Sequence, residues 1–136
     1  MADALTEAKA WMVKAWRDLE TARRAVAGQP PFYDVGVYHC QQAAEKAVKA
    51  FLVRHGKAHE KTHDIEVLVD LAGEIDPGFR QLADAADMLT PYATRFRYPN
   101  ATFAVEPHPA EFDEALQQAQ AIHDFVLNLL PPDARP

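Results

Sequence analysis

The side chains able to do chemistry are few and unevenly placed. The 136 residues include six histidines, one cysteine and no serine. Without serine, a Ser-His-Asp hydrolase is excluded. Cys40 follows His39 directly, but adjacent positions on a helix diverge by about 100°, so the two make a poor Cys-His dyad. The string His59-Glu60-Lys61-Thr62-His63 reads H-E-x-x-H. In zinc peptidases that string lies on one helix, where both imidazoles bind the metal and the glutamate activates water. Here Gly56 ends one helix and Thr62 caps the next, so the two histidines fall on a loop and on a first turn. No third ligand follows, and the same break separates His55 from the pair. Neither a metal nor another cofactor is expected. The five glycines form no phosphate-binding loop.

Two other groupings invite an anion. His39, Gln42, Lys46 and Lys49 recur at steps of three, four and three, with Gln41 and Glu45 beside them. One reading is a solvated face on which Glu45 and Lys49 pair across a turn. The other is a shallow site where the lysines meet phosphate while His39 and Gln42 hydrogen-bond a base or sugar. Farther on, Arg95-Phe96-Arg97-Tyr98-Pro99 supplies two guanidinium groups that fork to phosphate and a ring that stacks on a base. The structural alternative pairs both arginines with acids of neighbouring helices.

The elements that must hold these residues are helical throughout. Leu5, Ala8, Met12, Ala15, Leu19, Ala22 and Val26 mark one face of a first helix, with Asp3 as N-cap and Gly28 just past its end. Trp11 and Trp16 widen that face. Val37, Cys40, Ala44, Ala47, Val48 and Phe51 mark a second helix from about Tyr33 to His55. A shorter third starts at Thr62, using Ile65, Leu68, Val69 and Ala72. A fourth carries Phe79, Leu82, Ala86 and Leu89 and breaks near Pro91. The last begins at Pro109 and uses Phe112, Ala115, Leu116, Ala119, Ile122, Val126 and Leu129. No strand alternation occurs. The expected fold is all-α: an antiparallel up-down bundle of four long helices plus one short one. Residues 1–130 should form one domain and residues 131–136 a disordered tail.

Net charge is −6, which excludes coating long duplex DNA by charge alone. The charge is split: residues 1–61 carry +3 and residues 62–136 carry −9. A phosphate-bearing ligand should therefore be small or locally held, meeting Lys46, Lys49, Arg95 and Arg97 in one pocket. The first residues lack a signal-peptide pattern, and no apolar run approaches the ~18 residues of a membrane span. With its lone cysteine, the chain is expected in the cytoplasm.

Four ordered segments resemble the HEPN family, small all-α domains of prokaryotes and higher eukaryotes named for nucleotide binding. Trp16-Arg17-Asp18-Leu19 matches its opening signature. Tyr38 through Leu52 is similar to its Q-A-x-E-K-x-x-K-A helix, Lys61-Thr62-His63-Asp64-Ile65 to its K-T-H-D start, and Arg97-Tyr98-Pro99 to its R-Y-P. The resemblance accounts for His63 without zinc. It implies a homodimer, often encoded beside a minimal nucleotidyltransferase in a toxin–antitoxin-like pair. Many superfamily members are metal-independent ribonucleases with R-x(4–6)-H late in the chain. Here no histidine stands at that distance after Arg95 or Arg97, and the R-x4-H at Arg54 and His59 falls at the end of the second helix. The resemblance therefore does not carry ribonuclease activity over, and no residue is assigned as catalytic. The implied function is binding of a nucleotide, short RNA or a partner protein, with His39, Gln42, Lys46, Lys49, His63, Arg95, Arg97 and Tyr98 as site residues. The alternatives are a ribonuclease toxin using Arg97 with His63 or His108, and a purely structural helical interaction module.

Overall fold

The computed structural model describes residues 3–57, 62–99 and 106–136. The H-E-x-x-H reading, the Arg54/His59 pair and the residues just after Pro99 fall partly or wholly outside them. Among the described residues there are five α-helices: α1 (Ala4–Ala27), α2 (Tyr33–Arg54), α3 (Ile65–Ile75), α4 (Ala83–Leu89) and α5 (Pro109–Leu129). Among the described residues there is no strand, and no helix is long and apolar enough to cross a membrane.

Helix ends follow local chemistry. Asp3 accepts from the Thr6 N–H at 2.7 Å and starts α1. Asp64, not Thr62, caps α3 by accepting from the Glu66 N–H; Thr62 Oγ1 accepts from the Asp64 N–H one step earlier. Gly56 follows α2 with φ of 67°, the left-handed conformation that favours glycine. Gly28 after α1 is extended instead. His108 caps α5: its Nδ1 accepts from the Ala110 N–H, and Glu111 reaches back to the His108 N–H. Pro109 takes the first helical position, where its missing N–H costs nothing.

α2 lies at the centre, in contact with α1, α3, α4 and α5. Trp11 lies by Lys49 and Asp18 by His39, so α1 and α2 run antiparallel. Phe112 packs against Gly36 at the start of α2, and Phe79 joins Phe51 to Phe125 at the other end, so α5 runs alongside α2 in the same direction. The predicted apolar faces of α1 and α2 are buried, with Leu5 and Val26 half-buried at the ends and Trp11 half-buried. Trp16, expected to widen the α1 face, is 46% exposed and points away from the core.

The expected long fourth helix is broken. Residues Pro77–Leu82 form a 3-10 turn capped by Asp76, α4 has two turns, and Thr90–Ala93 tighten again into 3-10 geometry. Pro77 and Pro91 each remove an amide donor, which shortens the regular stretch between them. The last six residues are not a loose tail. Pro132–Ala134 make a 3-10 turn, Ala134 is buried at 0% exposure, and Arg135 Nε donates to the Leu130 carbonyl. The turn packs on α1, so ordering this end covers apolar surface.

Candidate nucleotide-binding seam

The polar residues of α2 form two buried ionic clusters rather than a solvated face. Asp18 of α1 is 7% exposed. One of its oxygens accepts from His39 Nδ1 at 2.8 Å, the other from Lys46 Nζ at 2.7 Å. A carboxylate only accepts, so His39 Nδ1 bears a proton and donates it to Asp18, which leaves Nε2 outside this pair. Glu45 is 2% exposed and takes Lys49 Nζ at 3.1 Å, His63 Nδ1 at 3.1 Å and Gln41 Nε2 at 3.3 Å. Gln41 also donates to the His63 carbonyl and accepts from Gln42, which ties the residues before α3 onto α2. The His63 side chain is otherwise 71% exposed.

Lys49 lies 5.5 Å from the Trp11 ring centroid, a buried ammonium against an indole. At the other end of the seam, the exposed Arg97 guanidinium stacks on Tyr38 at 4.7 Å and Tyr98 at 5.4 Å. Tyr38 meets His39 edge-on at 5.2 Å. Among the described residues Arg97 pairs with no carboxylate.

The structure thus joins Arg97, Tyr98, His39 and Lys46 along one line through Tyr38 and Asp18. It corrects the expected single pocket in two places. Lys49 is buried against Glu45 because Trp11 covers it, so its charge is already met. Arg95 turns away: its guanidinium lies 3.9 Å from Glu111 and 5.0 Å from the Phe96 centroid. Glu111 also accepts from the Tyr92 hydroxyl. Burial pushes the Tyr92 phenol up to about 12, with Glu111 adding to the shift. His108 spends Nδ1 on its cap. Cys40 is buried, which pushes its thiol up to about 12, the opposite of an activated nucleophile.

Asp18, Trp11 and Tyr38 are the site residues that the spacing along α2 could not reveal. Asp18 lies 21 and 28 residues from its partners. The one signal was its place in Trp16-Arg17-Asp18-Leu19. A cleft between α3 and α4, lined by Glu66, Asp70, Asp84 and Asp87, is acidic and repels anions. A hydrogen bond to Asp87 holds the Glu66 carboxyl above its usual range, and the carboxylates around it push the same way. No group of side chains among the described residues is arranged to hold a metal ion.

Sequence comparison decides the family. The HEPN domain profile matches residues 8–129, nearly the whole bundle. The chain belongs to the HEPN family. Two solved structures share the fold. An archaeal HEPN homologue, ST0689, superimposes with a TM-score of 0.73 at 28% identity, covering 96% of this chain and all of that one. TT1696 from Thermus thermophilus gives 0.71 at 32% identity, covering 88% of this chain and 94% of that one. No curated protein matches the sequence. In this HEPN domain the α2 motif supplies His39 and the lysines of the ionic clusters together with Glu45, α1 supplies Asp18, and the R-Y-P motif supplies the stacked guanidinium.

Proposed function

We propose that this HEPN protein is a cytoplasmic homodimer that binds a nucleotide, and through it a minimal nucleotidyltransferase, in a toxin–antitoxin-like pair. The observation that carries the reading is the exposed Arg97 guanidinium stacked on Tyr38, next to an imidazole fixed by Asp18. A planar cation between aromatic rings beside an available Nε2 suits a phosphate and its base. Asp18 and Glu45 neutralise the lysines, so affinity rests on few groups and favours small ligands over long nucleic acid.

Calorimetry with ATP, GTP and a short RNA tests the ligand half, and absence of heat with all three at millimolar concentration refutes it. Light scattering on the purified chain tests the dimer. Co-purification with a minimal nucleotidyltransferase encoded beside this chain tests the partner. Unchanged partner capture by a Lys46→Ala, Arg97→Ala double variant would favour the purely structural module.

A ribonuclease reading has one observation in its favour. His63 Nδ1 is engaged by buried Glu45 while its ring is exposed, an arrangement that orients Nε2 for proton transfer. His108 is the weaker partner for Arg97, because its Nδ1 accepts the cap hydrogen bond. Incubation with total RNA tests this reading, and cleavage that survives Arg97→Ala removes Arg97 from it.

A further inference from the structure

The start of α5 depends on which nitrogen of an imidazole is bare. Asp3 and Asp64 cap their helices with carboxylates, as the usual capping residues do, whereas α5 uses His108. His108 Nδ1 accepts from the Ala110 N–H at 3.1 Å, so Nδ1 holds no proton and the neutral ring carries its proton on Nε2. A second proton can bind only at Nδ1, and there it abolishes the cap. We infer that His108 is a proton-operated catch: it holds the first turn of α5 when neutral and releases it when protonated, and Glu111 carries that release to the segment bearing Arg97. The inference does not depend on the nucleotide reading.

Three observations support the assignment. His108 is exposed, so protons reach it without unfolding, and histidine is the side chain that ordinarily titrates between about pH 5 and 8. The second observation is charge. An imidazolium here faces the positive end of a 21-residue helix, whose first N–H groups repel it. The titratable and charged groups nearby are Glu106, Glu111, Asp113 and Glu114 on its own segment, with Tyr92 and Arg95 facing Glu111 from beyond α4. The carboxylates attract an imidazolium, but ion pairs open to water offset little of a lost cap. The third observation is the place of Glu111. Its Oε1 accepts from the His108 N–H at 3.4 Å, while Oε2 accepts from the Tyr92 hydroxyl at 3.2 Å and faces Arg95 Nη1 at 3.9 Å. One carboxylate therefore ties the cap to the chain that leads into Arg97. Phe96 stacks on Tyr92 at 6.1 Å, and the Arg97 N–H donates to the Thr94 carbonyl, so that chain is a compact unit. Once the turn opens, the imidazolium draws Glu111 toward itself and loosens its hold on Tyr92 and Arg95.

Two-dimensional NMR of the full chain, titrated from about pH 8 to pH 5, tests the catch. The Ala110 amide should shift with the same midpoint as the His108 ring protons, and the Tyr92, Arg95 and Phe96 amides should follow with that midpoint too. His108→Asn supplies a good cap that binds no proton in this range, so the Ala110 shift should vanish while α5 stays formed, and the shifts near Arg95 should vanish with it. In Glu111→Gln, Ala110 should still follow His108, whereas Tyr92, Arg95 and Phe96 should no longer respond. An Ala110 amide that ignores His108, or one that still titrates in His108→Asn, would overturn the catch. Arg95 and Phe96 amides that stay still in the parent chain, or that keep responding in Glu111→Gln, would overturn the role of Glu111.

Discussion

Replacing Glu45 by glutamine should be among the most damaging single polar changes in this bundle. The Lys49 side chain is 6% exposed and Glu45 supplies its countercharge at 3.1 Å. Removing one partner of a buried pair costs about 3–5 kcal/mol, because the other charge is left behind without compensation. Glutamine still accepts one hydrogen bond, and the Trp11 ring retains its attraction for the ammonium, so the low end applies: about 3 kcal/mol. His63 adds little, since its exposed ring can turn to water. Over 136 residues, an unfolding entropy of roughly 2.1 cal/mol/K per residue converts this loss to a Tm drop of about 10 °C. Thermal and urea unfolding followed by circular dichroism measure it. The companion variant, Glu45→Gln with Lys49→Met, removes both charges and should recover stability to within about 1 kcal/mol of the parent. A double variant no more stable than Glu45→Gln alone would refute the argument, showing that shape and hydrogen bonding, not an orphaned charge, set the cost.

Gly36→Ala should destabilise by about 1–2 kcal/mol despite alanine's better helix propensity. Its Cβ would stand 2.7 Å from the buried Phe112 ring and 3.1 Å from Val26, and urea unfolding reads the difference. Cys40 should resist a thiol reagent at neutral pH until the protein unfolds; rapid stoichiometric labelling of the native chain would contradict its burial. Tyr92 should ionise near pH 12 in an ultraviolet titration. Between pH 10 and 12 the unfolded chain then binds fewer protons than the folded one, so stability falls as pH rises, and Tyr92→Phe should flatten that part of the curve.

Much of this architecture was legible because periodicity reports faces directly. The apolar runs of α1, α2 and α5, the cap at Asp3 and the start of α5 at Pro109 stand where the pattern places them, apart from Trp16 and Leu129, which are exposed. What covers a polar face is a different question. His39, Lys46 and Lys49 have the spacing of a solvated stripe, yet Trp11 and Asp18 from α1 and His63 from the residues before α3 close over parts of it. Those contacts join residues far apart in sequence, which helical spacing does not encode. Arg95 and Arg97, two positions apart in one motif, diverge because Glu111 captures one and Tyr38 the other. The His108 cap was hidden because histidine is not among the usual capping residues, and the broken fourth helix because apolar spacing survives a change to 3-10 geometry.

The shared carboxylates also decide how α1 seats on α2. Much of the buried surface of these two helices is alanine: Ala8, Ala15 and Ala22 on one, Ala43, Ala44, Ala47 and Ala50 on the other. Between these alanines stand Met12 and Leu19 on α1 and Val37, Val48 and Phe51 on α2, so a slide of one turn, about 5.4 Å, would set large side chains where small ones now pack. It would also draw Asp18 away from His39 and Lys46 together and leave it buried without a cation. The ionic seam adds a second constraint to that packing, making one alignment of the hairpin far cheaper than its neighbours. The residues that order this polar seam thereby also help to select the backbone register of the hairpin.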